Sequence, residues 1–213
     1  MNKVRQLKYI AVDGPIGAGK TTLVKMLAED FGAKISLEPV EKNPFLADFY
    51  KDPAKNAFKT QIFFLLSRFQ QQKELLQQDL FQPTIICDYS FAKDQIFAEI
   101  NIDEDEKALY DNIYHSLEAK LPKPDLLIYL KADAAVMMRR IKKRGWDFEQ
   151  QISEKYLSAL IEAYDHYFLH DTTQAVLVVD STAVDYEKNP QDFEDLKKAI
   201  YTHRGGISYL ISR

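Results

Sequence analysis

Five short runs suited to β-strands punctuate the chain: Leu7–Asp13, Lys34–Glu38, Thr84–Asp88, Asp125–Leu130 and Ala175–Asp180. They are nearly continuous in Ile, Val, Leu and Cys, without the apolar–polar alternation of a strand that faces water on one side. Strands of this kind need cover on both faces. The segments between them supply it, because their apolar residues recur with a helical period. Leu23, Leu27 and Phe31 stand four apart in Thr21–Phe31, which Gly32 is placed to end. Phe58, Ile62, Leu65, Leu66 and Phe69 share one side of a stretch from about Lys55 to Gln78. Leu157, Leu160, Ile161, Tyr164 and Phe168 repeat the pattern in Ser153–Phe168, with Ser153 able to cap it. The acidic run Asp103–Glu106 reads as a water-facing helix start. Strand, helix and strand in succession require parallel crossovers, so the expected fold is a three-layer α/β sandwich with a five-stranded parallel sheet and helices on both faces. With 213 residues and no linker, repeat or low-complexity tract, residues 1–213 read as a single domain.

Composition removes several classes of function. The chain is 46% hydrophobic and 28% charged, enough to bury a core. A net charge of −4 lacks the basic excess of a sequence-independent nucleic-acid binder. No apolar run approaches the roughly 18–20 residues needed to span a bilayer, so no membrane partner is expected. The charged start, Met1 to Lys8, runs straight into a strand and shows no signal-peptide pattern. A single cysteine, Cys87, lies in an apolar run and cannot form an internal disulfide, which suits a reducing cytoplasm and argues against a catalytic thiol. His115, His166, His170 and His203 show no zinc-ligand spacing.

The first strand passes through Asp13-Gly14-Pro15-Ile16-Gly17-Ala18-Gly19-Lys20-Thr21-Thr22 directly into a helix. This is G-x-x-x-x-G-K-[ST] in the strand-to-helix context that the motif requires. Three of the seven glycines fall between positions 14 and 19, where they let backbone N–H groups turn inward around phosphate oxygens. The helix beginning near Lys20 aims its positive end at the same anion. Gly14, Ile16, Gly17, Ala18, Gly19, Lys20, Thr21 and Thr22 therefore read as a triphosphate cradle, with Lys20 on the β and γ phosphates and the Thr21 hydroxyl placed for Mg²⁺.

A triphosphate site is compatible with a switch, a motor or a small-molecule kinase. The guanine-reading Asn-Lys-x-Asp pattern is absent; Lys123-Pro124-Asp125 precedes a strand and so falls at the wrong edge of the sheet. A kinase needs a group that orients the acceptor hydroxyl and a cationic lid. Glu38, at the end of the second strand, is placed for the first role, although a helix cap or a solvent-facing carboxylate would sit there equally well. Arg139-Arg140-Ile141-Lys142-Lys143-Arg144-Gly145 supplies the second, a lid at about 140–152 in which Arg140 and Arg144 share a helical face. Cations there would also complement a helix dipole, but five in six residues exceed that need. No arginine occurs from Phe69 to Met138, which argues against an acceptor carrying its own phosphate.

These residues resemble the deoxyribonucleoside kinase family over most of the chain. The matching pieces are the loop, Leu37-Glu38-Pro39-Val40, Tyr50, Gln61 to Arg68, Asp88-Tyr89-Ser90, Lys123 to Leu130, and Arg140 to Gly145 with Glu149. The resemblance implies a P-loop kinase fold and transfer of the γ-phosphoryl of ATP to the 5′-hydroxyl of a deoxyribonucleoside, with Mg²⁺, by a homodimer that pairs long helices. It implies that Glu38 is the base toward the 5′-hydroxyl, with Lys20, Arg140 and Arg144 supporting the phosphoryl group. Tyr50 and Glu149 would hold the sugar 3′-hydroxyl, Gln61 and Arg68 would read the base edge, and Asp88 would help Thr21 hold the metal.

The chain also departs from the family pattern. Tyr89 stands where an arginine that supports the reacting phosphate is usual, so that charge must come from Lys20, Arg140, Arg144 or another group. Trp146 replaces a lid arginine. Asp94 matches the acid that partners the base-reading arginine, although the spacing from Asp88 to Phe97 is one residue short. Phe97 reads either as a platform for the base or as a core aromatic. Arg68 with an acid near Asp94 resembles the members acting on deoxyadenosine, deoxyguanosine or deoxycytidine, with deoxyadenosine preferred. The alternatives are a nucleoside monophosphate kinase of the thymidylate type and a P-loop regulator without catalysis.

Overall fold

The computed structural model describes residues 7–76, 84–170, 174–182, 184, 186 and 189–210. Strands β1 (Tyr9–Asp13), β2 (Lys34–Ser36), β3 (Ile85–Cys87), β4 (Leu126–Lys131), β5 (Val176–Asp180) and β6 (Ile207–Leu210) form one sheet in the order β2-β3-β1-β4-β5-β6. Every pairing is parallel. The helices are α1 (Lys20–Phe31), α2 (Leu46–Lys51), α3 (Pro53–Leu76), α4 (Ala92–Asn101), α5 (Glu104–Glu118), α6 (Ala134–Arg144), α7 (Glu154–His170) and α8 (Pro190–Thr202).

The near-continuous apolar strands are explained by two cores. Ile10, Val12, Leu126, Ile128, Leu177 and Val179 join Leu23 and Leu27 of α1, Met137 of α6 and Leu196 of α8 on one face. The intervening residues Ala11, Leu127, Tyr129, Val176 and Val178 join Ile96 of α4 and Tyr164 and Phe168 of α7 on the other. Because successive side chains point to opposite faces and both faces are covered, the strand positions that join either core are apolar.

The sheet has six strands where five were expected. β6 pairs only with β5, and its residues are half-buried or exposed, Tyr209 by 60%. An edge strand of four residues with one wet side carries no buried apolar run to betray it. Two expected strands extend past their observed ends. β2 stops at Ser36, leaving Glu38 in the loop beyond it, and β3 stops at Cys87, leaving Asp88 at its tip.

The end signals match the chemistry of their residues. Gly32 and Gly145 close α1 and α6 in the left-handed conformation, with φ of 60° and 72°. Ser153 Oγ accepts from Tyr156 N at 3.1 Å ahead of α7, and Asp103 caps α5 by accepting from Glu106 N. The long helix begins earlier than expected, with Pro53 in its first turn, and is described as far as Leu76; positions 77 and 78 lie outside the described residues. α3, α4 and α5 share a third core around Leu65, Phe91, Tyr110 and Tyr114, while Leu46, Phe49 and Ala57 join α2 to α3.

Chain order reverses across β1, since β2 and β3 lie on one side of it and β4 to β6 on the other. Ligands of open parallel sheets bind where the order reverses, beyond the carboxyl ends of the strands. The loops after β1, β2 and β3 all meet there.

Candidate active site

The loop after β1 has the strained backbone that a phosphate cradle needs. Gly17 has φ +83°, and a Cβ on it would lie 2.7 Å from the Met137 carbonyl oxygen. Gly14 is tighter still, 2.4 Å from the carbonyl oxygen of Leu130. Only glycine fits either position without moving α6 or β4. Asp13, fully buried at the end of β1, anchors the loop from below. Its Oδ1 accepts from Gly14 N at 2.8 Å and from Tyr164 Oη at 2.9 Å, and its Oδ2 accepts from Ser90 N at 2.8 Å and Ser90 Oγ at 2.6 Å. Lys20 folds back over the cradle, its Nζ donating to the carbonyls of Gly14 at 2.7 Å and Pro15 at 2.9 Å. Burial, then the ammonium of Lys93, lowers Lys20 to about 8.

Thr21 Oγ1 donates to Asp88 Oδ2 at 2.8 Å, while Asp88 Oδ1 accepts from Glu38 N at 2.8 Å. A hydroxyl and a carboxylate side by side at the edge of a phosphate cradle are hard oxygen donors of the kind a magnesium ion takes, so the residues fit that metal.

A cleft of about 320 Å³ opens from the cradle toward α2, α3 and α4. Lys20, Thr21, Glu38, Tyr50, Gln61, Arg68, Asp88, Phe97, Arg144 and Glu149 all line it, together with Ile16, Gly17, Gly19 and Thr22 of the loop. Residues expected to act on the acceptor thus come together from six separate stretches of chain. Gly14, Ala18 and Asp94 lie behind this surface: Ala18 is buried in the core cluster, and Asp94 sits beneath Arg68.

Glu38 and Arg68 form the centre of a buried ion network. The guanidinium bridges Glu38 Oε1 through Nη2 and Asp94 Oδ1 through Nη1. The ammonium of Lys93 takes the other oxygen of Glu38. Burial opposes the charged form of Glu38, but Arg68 and Lys93 outweigh it and hold the carboxyl down at about 2. Asp94 has one cation for its share of the network, and burial pushes it up to about 7 against the pull of Arg68. Arg68 and Asp94 are in direct contact although the spacing from Asp88 to Phe97 is one residue short of the family's. At this end of the cleft, Asp94 Oδ2, Arg68 Nε and Thr60 Oγ1 are buried without a hydrogen-bond partner. Buried polar groups left unpaired cost free energy, and a ligand edge with matching donors and acceptors would relieve it. Phe97 lines the cleft and packs edge-on against Tyr164 of the core.

The lid divides in two. Arg144 Nε donates to Glu149 Oε2 at 2.9 Å and its guanidinium lies 4.3 Å over the Trp146 ring. Tyr50 stacks on Phe148 across the cleft mouth, with ring centroids 6.2 Å apart. Arg140 does not line the cleft. It reaches the outer side of the loop, where Nη2 donates to Ser181 O at 2.8 Å and Nη1 to Ala18 O at 3.3 Å.

Two residues were missed from the sequence. Asp13 was visible only as a strand end, and three of its four hydrogen bonds come from Ser90 and Tyr164, 77 and 151 positions away. Lys93 carried a local signal, a cation in the first turn of a helix, where the dipole disfavours it.

A glycine cradle opening onto a cleft lined by an ion network defines a P-loop phosphotransferase acting on a small acceptor. Comparison with known proteins sharpens the class: the deoxynucleoside kinase family model matches residues 10–203, and the chain belongs to that family. The chain is 40% identical over 192 residues to a deoxyguanosine kinase of Bacillus subtilis, covering 87% of this chain and 92% of that one. It is 34% identical over 198 residues to a deoxyadenosine kinase of Dictyostelium discoideum, covering 91% and 79%. A solved deoxyadenosine kinase from M. mycoides with bound dATP superposes with a TM-score of 0.78 at 29% identity, over 90% of this chain and 99% of that one. The chain is an enzyme, a phosphotransferase acting on a nucleoside, and the monophosphate-kinase and regulator alternatives are not favoured.

Proposed function

We propose that the enzyme transfers the γ-phosphoryl of ATP to the 5′-hydroxyl of a purine deoxynucleoside, deoxyguanosine ahead of deoxyadenosine. Gln61 and Arg68 carry this reading, because both line the cleft that opens from the cradle and can pair with a base edge there. An arginine fork matches the two adjacent acceptors of guanine, O6 and N7, and Gln61 can donate and accept beside it. The Bacillus subtilis relative supports the same order, which reverses the preference for deoxyadenosine read from the sequence.

In this mechanism the loop N–H groups and Lys20 bind the phosphates, and Tyr50 and Glu149 hold the sugar. Glu38, kept ionised by its two cations, accepts the proton of the 5′-hydroxyl as that oxygen attacks. Thr21 and Asp88 would hold Mg²⁺, which supplies charge neutralisation on the phosphates when bound. Arg144 and Arg140 brace the lid and the loop. Leu66 on α3 and Leu109 on α5, 49% and 56% exposed, support a homodimer built on those helices. The buried lone Cys87, whose thiol burial pushes up to about 12, suits a cytoplasmic setting.

Turnover with ATP, Mg²⁺ and each of the four deoxynucleosides tests the reading. Deoxyguanosine should give the highest kcat/KM and its 5′-monophosphate. A preference for thymidine, or turnover only with monophosphates, would reject it.

A further inference from the structure

Among the described residues, four cations line the cleft: Lys20, Arg68, Lys93 and Arg144. Arg68 is shared between Glu38 and Asp94, and Arg144 is held by Glu149. Tyr89, where the resemblance anticipated an arginine, donates its hydroxyl to Gln71 Oε1 at 2.8 Å and brings no charge. Lys93 is different in three respects.

It is a lysine only 8% exposed, and lysine is rarely buried so deeply. It stands in the first turn of α4, against the positive end of the helix dipole. Its ammonium also shares the cleft with Lys20, and the repulsion is felt there, second only to burial in lowering Lys20. Each placement costs stability in the free protein. An anion arriving between the two lysines would reverse the sign of that repulsion.

The geometry points to Lys93 as a catalytic residue, the cation that meets the transferring phosphoryl group beside Glu38. This assignment rests on the reading of Glu38 as the base. An ammonium has three donors; one is on Glu38 Oε2, and two remain for incoming oxygens. In the transfer, the acceptor oxygen forms its bond to the γ-phosphorus and the bond from that phosphorus to the β,γ-bridging oxygen breaks, its electron pair leaving on ADP. The hydroxyl proton passes to Glu38, which later returns it to water. Negative charge thus leaves Glu38 as it gathers on the phosphoryl oxygens, and the ammonium of Lys93 spans both places. One cation holds the base ionised before the step and neutralises the transferring group during it.

Lys93→Met and Lys93→Arg, assayed for kcat and for the KM of each substrate, test the assignment. The methionine variant should lose about 100-fold in kcat with both KM values within about threefold, the size expected on removing one preorganised charge from a transition state. The arginine variant should recover at least about a tenth of the parent rate.

A kcat within about threefold of the parent, or a loss confined to the nucleoside KM, would overturn the assignment. If the methionine variant fails to fold, Lys93→Gln is judged by the same criteria. Glu38→Gln is run alongside. A slow Glu38→Gln enzyme beside an unimpaired Lys93→Met enzyme removes Lys93 alone, whereas a Glu38→Gln enzyme within about threefold of the parent removes the base reading itself.

Discussion

The guanidinium of Arg68 and the carboxylate of Glu38 are ion-paired inside the cleft, so the group proposed to read the base and the group proposed to take the proton share one charge network. Asp94 closes the network from behind. A nucleobase that engages Arg68 therefore also alters the surroundings of Glu38, 30 residues away in sequence.

Arg68→Met should lower kcat/KM for every nucleoside, most for the preferred base, while the KM for ATP stays within about threefold. Equal losses with all four bases would show that Arg68 does not read the base. The variant should also lose about 4 kcal/mol of stability at neutral pH, as breaking a buried pair does. A carboxyl already pushed up by burial rises further once its cation is gone. Such a group costs nothing below its unfolded pKa and most above its folded one, so the loss should shrink as pH falls from 7 toward 4. Urea melts at those two pH values check the sign.

Nucleotide binding should take up protons at pH 8.5 and almost none at pH 6.5. Lys20 sits at about 8 in the free protein, and phosphate oxygens favour its charged form. Roughly three-quarters of a proton per nucleotide is expected at the higher pH, read as the dependence of binding heat on buffer ionisation enthalpy. Heats independent of buffer would show that Lys20 is charged throughout.

Asp13→Asn should destabilise the protein by about 2–4 kcal/mol, because an amide turns one of its two oxygens into a donor facing donors. For a chain of this size that is roughly 5–15 °C in Tm. Asp133→Asn is the control. Asp133 is exposed and its side chain makes no cap bond to α6, so it should change stability by less than about 0.5 kcal/mol.

Gly17→Ala should weaken triphosphate binding by at least about tenfold, because its Cβ would push the cradle away from Met137. Gly32→Ala meets open space, and its cost of about 1 kcal/mol should come from the left-handed backbone alone, with nucleotide affinity unchanged. Equal affinity in both variants, measured with a fluorescent ATP analogue, would show that the loop is not the cradle.

Much of the architecture was written locally. The motif from Gly14 to Thr22, the apolar strands and the glycines that end α1 and α6 each depend on residues within one or two turns of one another. Such signals survive in sequence because backbone conformation and two-sided burial restrict which residues fit. β6 lacked that restriction, being short and wet on one side. The pairing of Arg68 with Asp94 was anticipated only through resemblance, and the ring stacking of Tyr50 on Phe148 not at all.

The sequence by itself determined the parallel sandwich and its phosphate loop, since periodicity and left-handed glycines are properties of neighbouring residues. Only the tertiary structure decided where charge resides in the cleft. Lys93 reaches Glu38 because α4 packs beside the loop after β2, and Arg140 is drawn to Ser181 on the far side of the cradle. Electrostatic partners are chosen by distance through space, and the crossovers of the sheet set that distance.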